Sequence, residues 1–288
     1  MPPKTIGLIT HTGKKGVSEL VDAVAKEFER HKISVLIEKE TAALVGHDAG
    51  QSLKQIAEKS ELLVVLGGDG TILNVAGQLG EAMKPIFGIN VGSLGFLTCV
   101  NSSAYREAVE SIARGEITFS ERILIDVSVP DASKTASPVL GLNDAVFTRS
   151  ELSRLIRLRA RVNGESLTEF NADGLIVATP TGSTAYSLSA GGPILEPESG
   201  VFVITPICPH VLTNRSLIVS EDSTIEIEAT ERDHPVFLSV DGRTPIRLTA
   251  GSVVSIRKAE KKLQLAAMPD VSFFSVVRQK LKWSGSNV

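Results

Sequence analysis

A chain of 288 residues, 42% apolar and 22% charged, has the make-up of a globular protein with room for two cores, because single cores rarely grow past about 250 to 300 residues. Its net charge of −3 provides no basic surplus, which excludes the electrostatic footprint of a nucleic-acid binder. Cys99 and Cys208, with no CxxC pair, exclude a disulfide framework and a structural zinc site, and both read as small buried residues.

The opening MPPKTIGLIT has no apolar core followed by a cleavage site, so it does not read as a secretory signal. No apolar run approaches the about 20 residues that span a bilayer, so the expectation is a cytoplasmic protein with no membrane partner. Thr5 to Thr10, Ile33 to Ile37, Leu62 to Leu66 and Pro85 to Asn90 are short apolar runs of the kind that form parallel strands buried on both faces. Between them, Val17 to Arg30 carries Leu20, Val21, Val24, Ala25 and Phe28 at helical spacing, with Ser18 as the expected N-cap. Gln51 to Ser60, Ile72 to Leu79 and Ala104 to Arg114 read as further helices, the last stopped by Gly115. The expected fold is therefore an α/β, doubly wound N-terminal domain over residues 1–117.

From Thr118 the pattern changes to period two. Ile123 to Val129, Thr224 to Glu228 and Val253 to Arg257 alternate apolar and polar residues, and Asp241-Gly242 and Ala250-Gly251 are turn signals. Residues 118–268 are expected to form a β-rich, antiparallel, sandwich-like domain, with Asp131 to Pro138 as a hairpin tip. With no long linker, the expectation is two domains meeting at a cleft. The tail, 269–288, returns to a helical pattern with Phe273, Phe274, Val277 and Leu281 on one side, and is expected to pack on the first domain.

Three stretches carry chemistry. Gly67-Gly68-Asp69-Gly70-Thr71 follows a buried strand, where open parallel sheets bind ligands. The glycines suit the approach of phosphate to backbone amides, but a carboxylate repels phosphate, so Asp69 points to a metal, a proton or a sugar hydroxyl; the plainer reading is a turn with Asp69 as N-cap. The spacing fits neither GxGxxG nor GxxxxGK[ST]. From Thr179 to Ser189 there are seven hydroxyl side chains, Thr179, Thr181, Ser183, Thr184, Tyr186, Ser187 and Ser189, a density that suits a ribose or a purine edge. A serine hydrolase is disfavoured because GxSxG is absent. Asn143-Asp144 offers an amide and a carboxylate side by side, though such a pair is more often a turn or bulge. The five histidines show no ligand spacing, and no metal site built from protein side chains is expected.

Taken in chain order, the GGDGT loop, the segment Asn90 to Thr98 (NVGSLGFLT), Asn143-Asp144, the TPTGSTAYSLSAGGPI block and Pro206 to His210 (PICPH) resemble the bacterial NAD kinase family over most of the chain. The resemblance implies transfer of the ATP γ-phosphate to the 2′-hydroxyl of the adenosine ribose of NAD, with Mg²⁺ or another divalent cation carried by ATP. It implies Asp69 as the base. It also implies NAD contacts from Asp69, Gly70, Phe96, Asn143, Asp144, Arg154, Asn171, Asp173, Thr184, Ala185, Tyr186, Ser187, Leu188, Ser189 and Arg243, and a homodimer or homotetramer. Three positions depart from the family pattern: Asp144 stands where Glu is usual, Asn171 where Arg or Lys is common, and Arg243 where Gln is common. Two other functions compete. Lipid or diacylglycerol kinases share the GGDGT loop, but no basic, membrane-facing helix is evident. A non-catalytic NAD sensor would be expected to lack the loop aspartate, which is present as Asp69.

Overall fold

The computed structural model describes every residue except 1, 12, 14, 15, 48, 93, 130–138, 151–154, 212, 231–234 and 284–288, so the expected hairpin tip and Arg154 lie outside the described residues. Two compact units emerge: Met1–Glu121 with Leu263–Val288, and Arg122–Lys262. No helix among the described residues is long and apolar enough to cross a membrane.

In the first unit the chain runs β1 (Thr5–Thr10), α1 (Val17–Arg30), β2 (Ser34–Ile37), α2 (Lys39–Leu44), α3 (Leu53–Lys59), β3 (Leu62–Gly67), α4 (Asp69–Leu79), β4 (Ile86–Asn90), β5 (Val100–Asn101) and α5 (Tyr105–Arg114). The strands pair in parallel in the order β4-β3-β1-β2, with β5 beside the end of β4. β3 is buried along its whole length, as its unbroken apolar run requires of a central parallel strand. The chain leaves β1 for β2 on one side and returns to β3 on the other. That order reversal puts the topological switch point between β1 and β3, beside the carboxyl end from which Gly67 leads into Asp69. Helix α1 has the expected limits and buries Val17, Val21, Val24 and Phe28, but its N-cap is Gly16 in a left-handed conformation rather than Ser18.

The second unit and the tail contain β6 (Thr118–Ser128), β7 (Val139–Gly141), β8 (Asp144–Arg149), β9 (Ile156–Val162), β10 (Glu165–Ala172), β11 (Gly174–Ala178), α6 (Tyr186–Ser189), β12 (Val201–Ile207), β13 (Leu217–Ser220), β14 (Ile225–Ala229), β15 (Val236–Val240), β16 (Ile246–Leu248), β17 (Val253–Ala267) and α7 (Phe273–Leu281). One antiparallel sheet runs β13-β12-β11-β8-β15-β16. It shares a core with β6, β9, β10, β14 and β17, built from Phe147, Phe202, Leu158, Ile227, Leu238 and Ile256 among others. Alternation decides the faces: in β14, Ile225, Ile227 and Ala229 are buried, while Glu226 and Glu228 are half-exposed. β11 is buried throughout because Val146, Ile176, Val203 and Leu195 form a second, smaller cluster on its other face. β17 pairs with β14 through Val253–Ile256 and, farther along, in parallel with β4 through Leu265 and Ala266.

Candidate active site

Asp69 opens α4, but Gly68 holds the N-cap position and the Asp69 side chain does not cap its own helix. Its carboxylate turns instead to another turn of the first unit. Oδ2 accepts the Phe96 N–H at 2.8 Å and Oδ1 accepts the Leu97 N–H at 3.0 Å. Gly95 makes this possible: a Cβ there would lie 1.9 Å from Asp69 Oδ1. Thr98 braces the same turn by accepting the Gly95 N–H at 2.9 Å. Each Asp69 oxygen keeps a further lone pair, and the half-buried group sits in the first helical turn, where the dipole favours negative charge. Gly70 is exposed beside it, and the half-buried Phe96 ring has Lys280 Nζ 6.0 Å from its centroid.

In the second unit two stretches that are distant in sequence meet. The Thr179 hydroxyl donates to the Leu142 carbonyl at 2.6 Å, and the Thr179 N–H donates to the Asn143 carbonyl at 2.9 Å. Gly182 lies against Asn143, and a Cβ on it would come within 2.0 Å of that carbonyl. The hydroxyl-rich block is thus docked on the Asn143–Asp144 turn. Four of its seven hydroxyls are engaged internally: Thr179, Ser183 with the Pro180 carbonyl and the Leu195 N–H, Thr184 with the Thr181 carbonyl, and Ser187 with Thr205. Ser187 is fully buried, so its hydroxyl is framework. By contrast, Tyr186 and Ser189 are exposed, and Ala185 and Leu188 are half-buried.

Two buried atoms in this region lack a hydrogen-bond partner, Asn143 Oδ1 and Thr181 Oγ1. Asp144 is 5% exposed, and burial, with the nearby charge of Asp241 adding to it, pushes its carboxyl up to about 7. Burial pushes Asp241 up as well, but three backbone N–H donors and Arg243 oppose that shift. The three amide donors and Arg243 favour the charged form of Asp241, whereas burial and the Asp241 charge both favour the protonated form of Asp144.

Asp173 and Tyr186 line a cavity of about 480 Å³ with Thr148, Arg149, Ser150, Ile207 and Cys208. Asp173 Oδ1 accepts from Arg149 Nε at 2.6 Å, so a cation from β8 stands where Asn171 supplies none; the Asn171 carbonyl accepts the His210 N–H. Arg149 carried no signal in the sequence, since its role follows only from the pairing of Thr148 with Gly174 across β8 and β11. Cys208 corrects an expectation: it is exposed with φ 45°, whereas Cys99 is buried, its thiol pushed up to about 12 by desolvation. No group of three or more His, Cys, Asp or Glu that would hold a metal occurs among the described residues. Asp69, Gly70 and Phe96 thus belong to the first unit, and the other described candidates, from Asn143 to Arg243, to the second.

Residues 6–117 match the ATP-NAD kinase N-terminal domain, and residues 142–268 the ATP-NAD kinase C-terminal domain. The NAD kinase of Trichlorobacter lovleyi is 43% identical over 256 residues, covering 88% of this chain and 90% of that protein. The NAD kinase of Solibacter usitatus is 38% identical over 280 residues, covering 97% and 98%. Among solved structures, yeast NADH kinase complexed with NADH superposes with a TM-score of 0.88 at 24% identity, covering 100% of this chain and 90% of that one. An NAD kinase from Archaeoglobus fulgidus in complex with ATP gives 0.77 at 25% identity, covering 98% and 100%. The chain belongs to the ATP-NAD kinase family and is an NAD kinase.

Proposed function

We propose that this NAD kinase moves the ATP γ-phosphate to the 2′-hydroxyl of the adenosine ribose, with Asp69 receiving the hydroxyl proton. The observation that carries the assignment is the grip of the Phe96 and Leu97 amides on Asp69 at the carboxyl end of β3. It fixes one carboxylate in orientation beside glycines and a helix N-terminus, which favour phosphate. A carboxylate is a weak base toward an alcohol, but a loose phosphoryl-transfer transition state demands little early deprotonation, so orientation of the hydroxyl matters most.

Mg²⁺ or another divalent cation fits here as a companion of ATP. One carboxylate whose oxygens already accept amides, flanked by further N–H donors, suits phosphate carrying its own metal better than a resident ion. When bound, the metal supplies charge neutralisation on the transferring phosphoryl group. Asn143, Asp144, Asp173, Thr184, Ala185, Tyr186 and Ser189 hold NAD in this reading, with Thr181 added because its hydroxyl and the Asn143 amide oxygen are buried without partners. An unmet buried polar atom costs about 1 to 3 kcal/mol, and a ligand donor or acceptor recovers it. The resemblance also implies a homodimer or homotetramer, which light scattering reads directly.

The deciding assay uses purified protein with Mg²⁺, ATP and either NAD or its 2′-deoxyadenosine analogue. NAD should yield a product accepted by an NADP-specific dehydrogenase, and the analogue should bind competitively without turning over. Phosphorylation of the analogue would overturn the assignment of the acceptor hydroxyl.

A further inference from the structure

We propose that Asp241 is a positioning residue of the NAD site, its carboxylate setting the turn from which Asn143 and Asp144 project; this rests on the reading that those two side chains hold NAD. Three consecutive backbone N–H groups converge on the one side chain. Leu142 donates to Oδ2 at 2.8 Å, and Asn143 and Asp144 donate to Oδ1 at 2.7 and 3.1 Å. The Asp241 N–H returns a bond to the Asp144 carbonyl at 3.0 Å. A concave set of successive amides is an anion cradle, and here the chain supplies the anion itself, from a side chain only 1% exposed.

The chemistry admits few substitutes. An ionised carboxylate only accepts hydrogen bonds, whereas an amide in its place would turn an NH₂ group toward one of the three donors. Asp241 stands in the left-handed region at φ 51°, followed by Gly242 at φ 68°, so the tight turn after β15 delivers the carboxylate back to the β7–β8 connection. Arg243 locks that turn. Its guanidinium lies 3.6 Å from Asp241, donates to the Val240 carbonyl at 3.1 Å and also donates to the Leu140 carbonyl. Ser239 adds a bond to the Arg243 carbonyl at 2.7 Å. The backbone of residues 140–144 is therefore fixed before any ligand arrives, which keeps Asn143 Oδ1 from relaxing toward a protein donor.

The test compares Asp241→Asn, Asn143→Ala and the core variant Ile227→Ala, by steady-state kinetics, thermal melting and hydrogen exchange of the peptide spanning residues 140–146. For Asp241→Asn the expected result is a rise of about tenfold in KM for NAD, a KM for ATP within about twofold of the parent, and faster exchange in that peptide. Ile227→Ala should lose thermal stability while keeping KM for NAD. An unchanged KM in Asp241→Asn, with a raised KM in Asn143→Ala, overturns the positioning role alone. An unchanged KM in Asn143→Ala overturns the reading beneath it. Equal rises in Asp241→Asn and Ile227→Ala reduce Asp241 to a stability residue and overturn the proposal. If Asp241→Asn does not fold, Arg243→Gln takes its place, with faster exchange and about a threefold rise in KM expected; parental exchange and KM overturn it.

Discussion

The two units each orient a carboxylate of the proposed site with backbone amides, but by opposite means. In the first, Asp69 is itself the group gripped, by Phe96 and Leu97, and it stays half-exposed. In the second, Asp241 takes the amides and Asp144 is left buried beside it with a raised tendency to hold a proton. A gripped carboxylate is held in one orientation with a lone pair to spare, which suits proton transfer. A carboxylate aligned through its neighbour's backbone keeps its own oxygens for a ligand, which suits recognition. Variants in the first unit should therefore change turnover and those in the second affinity.

The largest expected effect is at Asp69. Asp69→Asn removes the proton acceptor and turns an NH₂ toward one of two N–H donors, so kcat should fall by about 10³-fold, within the range lost with a general base. KM for NAD should move by less than about threefold. Single-turnover and steady-state kinetics read both, and retained turnover would sink the base assignment. Next comes Gly95→Ala, which leaves every proposed chemical group in place. Its Cβ would sit 1.9 Å from Asp69 Oδ1, so the carboxylate must move. A displacement of about 1 Å at a reacting group costs about 10²-fold, and that is the expected loss in kcat. Parental kcat in the Gly95→Ala enzyme would show that the Phe96–Leu97 grip has no bearing on the chemistry.

How much of this was legible in the sequence depended on how far apart the partners lie. Helix α1 was readable to the residue because its buried stripe repeats at three and four. Helix α2 was missed: six residues bury only Thr41 and Ala42, too few to show a period, and its cap is Glu38. α4 begins at Asp69 rather than Ile72, since Gly-Asp-Gly reads as loop although a helix N-terminus accepts an aspartate readily. β17 runs for 15 residues where only Val253 to Arg257 showed alternation; the Lys-Ala-Glu-Lys-Lys stretch hides the rest. The GGDGT loop and the hydroxyl-rich block were visible as motifs, yet their clasps were not. Phe96 grips a residue 27 positions away, and Asp241 reaches residues 97 to 99 positions away. Local pattern marked Asp241-Gly242 as a turn and no more, because its function is a tertiary contact. Counting hydroxyls, in turn, overstated the ligand face, since Thr179, Ser183 and Ser187 hold the block in place on its surroundings.

An intermediate effect tests the recognition side through pH. Asp144 is raised to about 7 in the folded protein against about 4 in an unfolded chain, so the folded state holds its proton more tightly. Its contribution to stability is full below about pH 4, declines as pH rises toward 7 and is lost above that. NAD binding that uses the ionised carboxylate runs the other way, so KM for NAD should fall about tenfold from pH 6 to pH 8. Asp144→Asn should flatten both trends. A KM that stays pH-dependent in Asp144→Asn would assign the titration to another group.

The smallest expected effect separates stability from affinity at a single hydroxyl. Thr181 Oγ1 is buried without a partner, a condition that costs the unliganded protein about 1 kcal/mol or more. Thr181→Val keeps the shape and removes the unmet group, so the unliganded protein should melt a few degrees higher, by about 2 to 4 °C per kcal/mol for a unit of this size. The same change deprives NAD of a hydrogen bond, and about 1 kcal/mol corresponds to roughly a fivefold rise in KM. Opposite signs in the two measurements are what a ligand-facing hydroxyl requires. If Thr181→Val raises the melting temperature without weakening NAD, the hydroxyl is an imperfection of packing rather than part of the site. If it lowers the melting temperature, the hydroxyl has a partner in the unliganded protein. Either result would remove Thr181 from the recognition side and leave Asn143 and Asp144 to carry it.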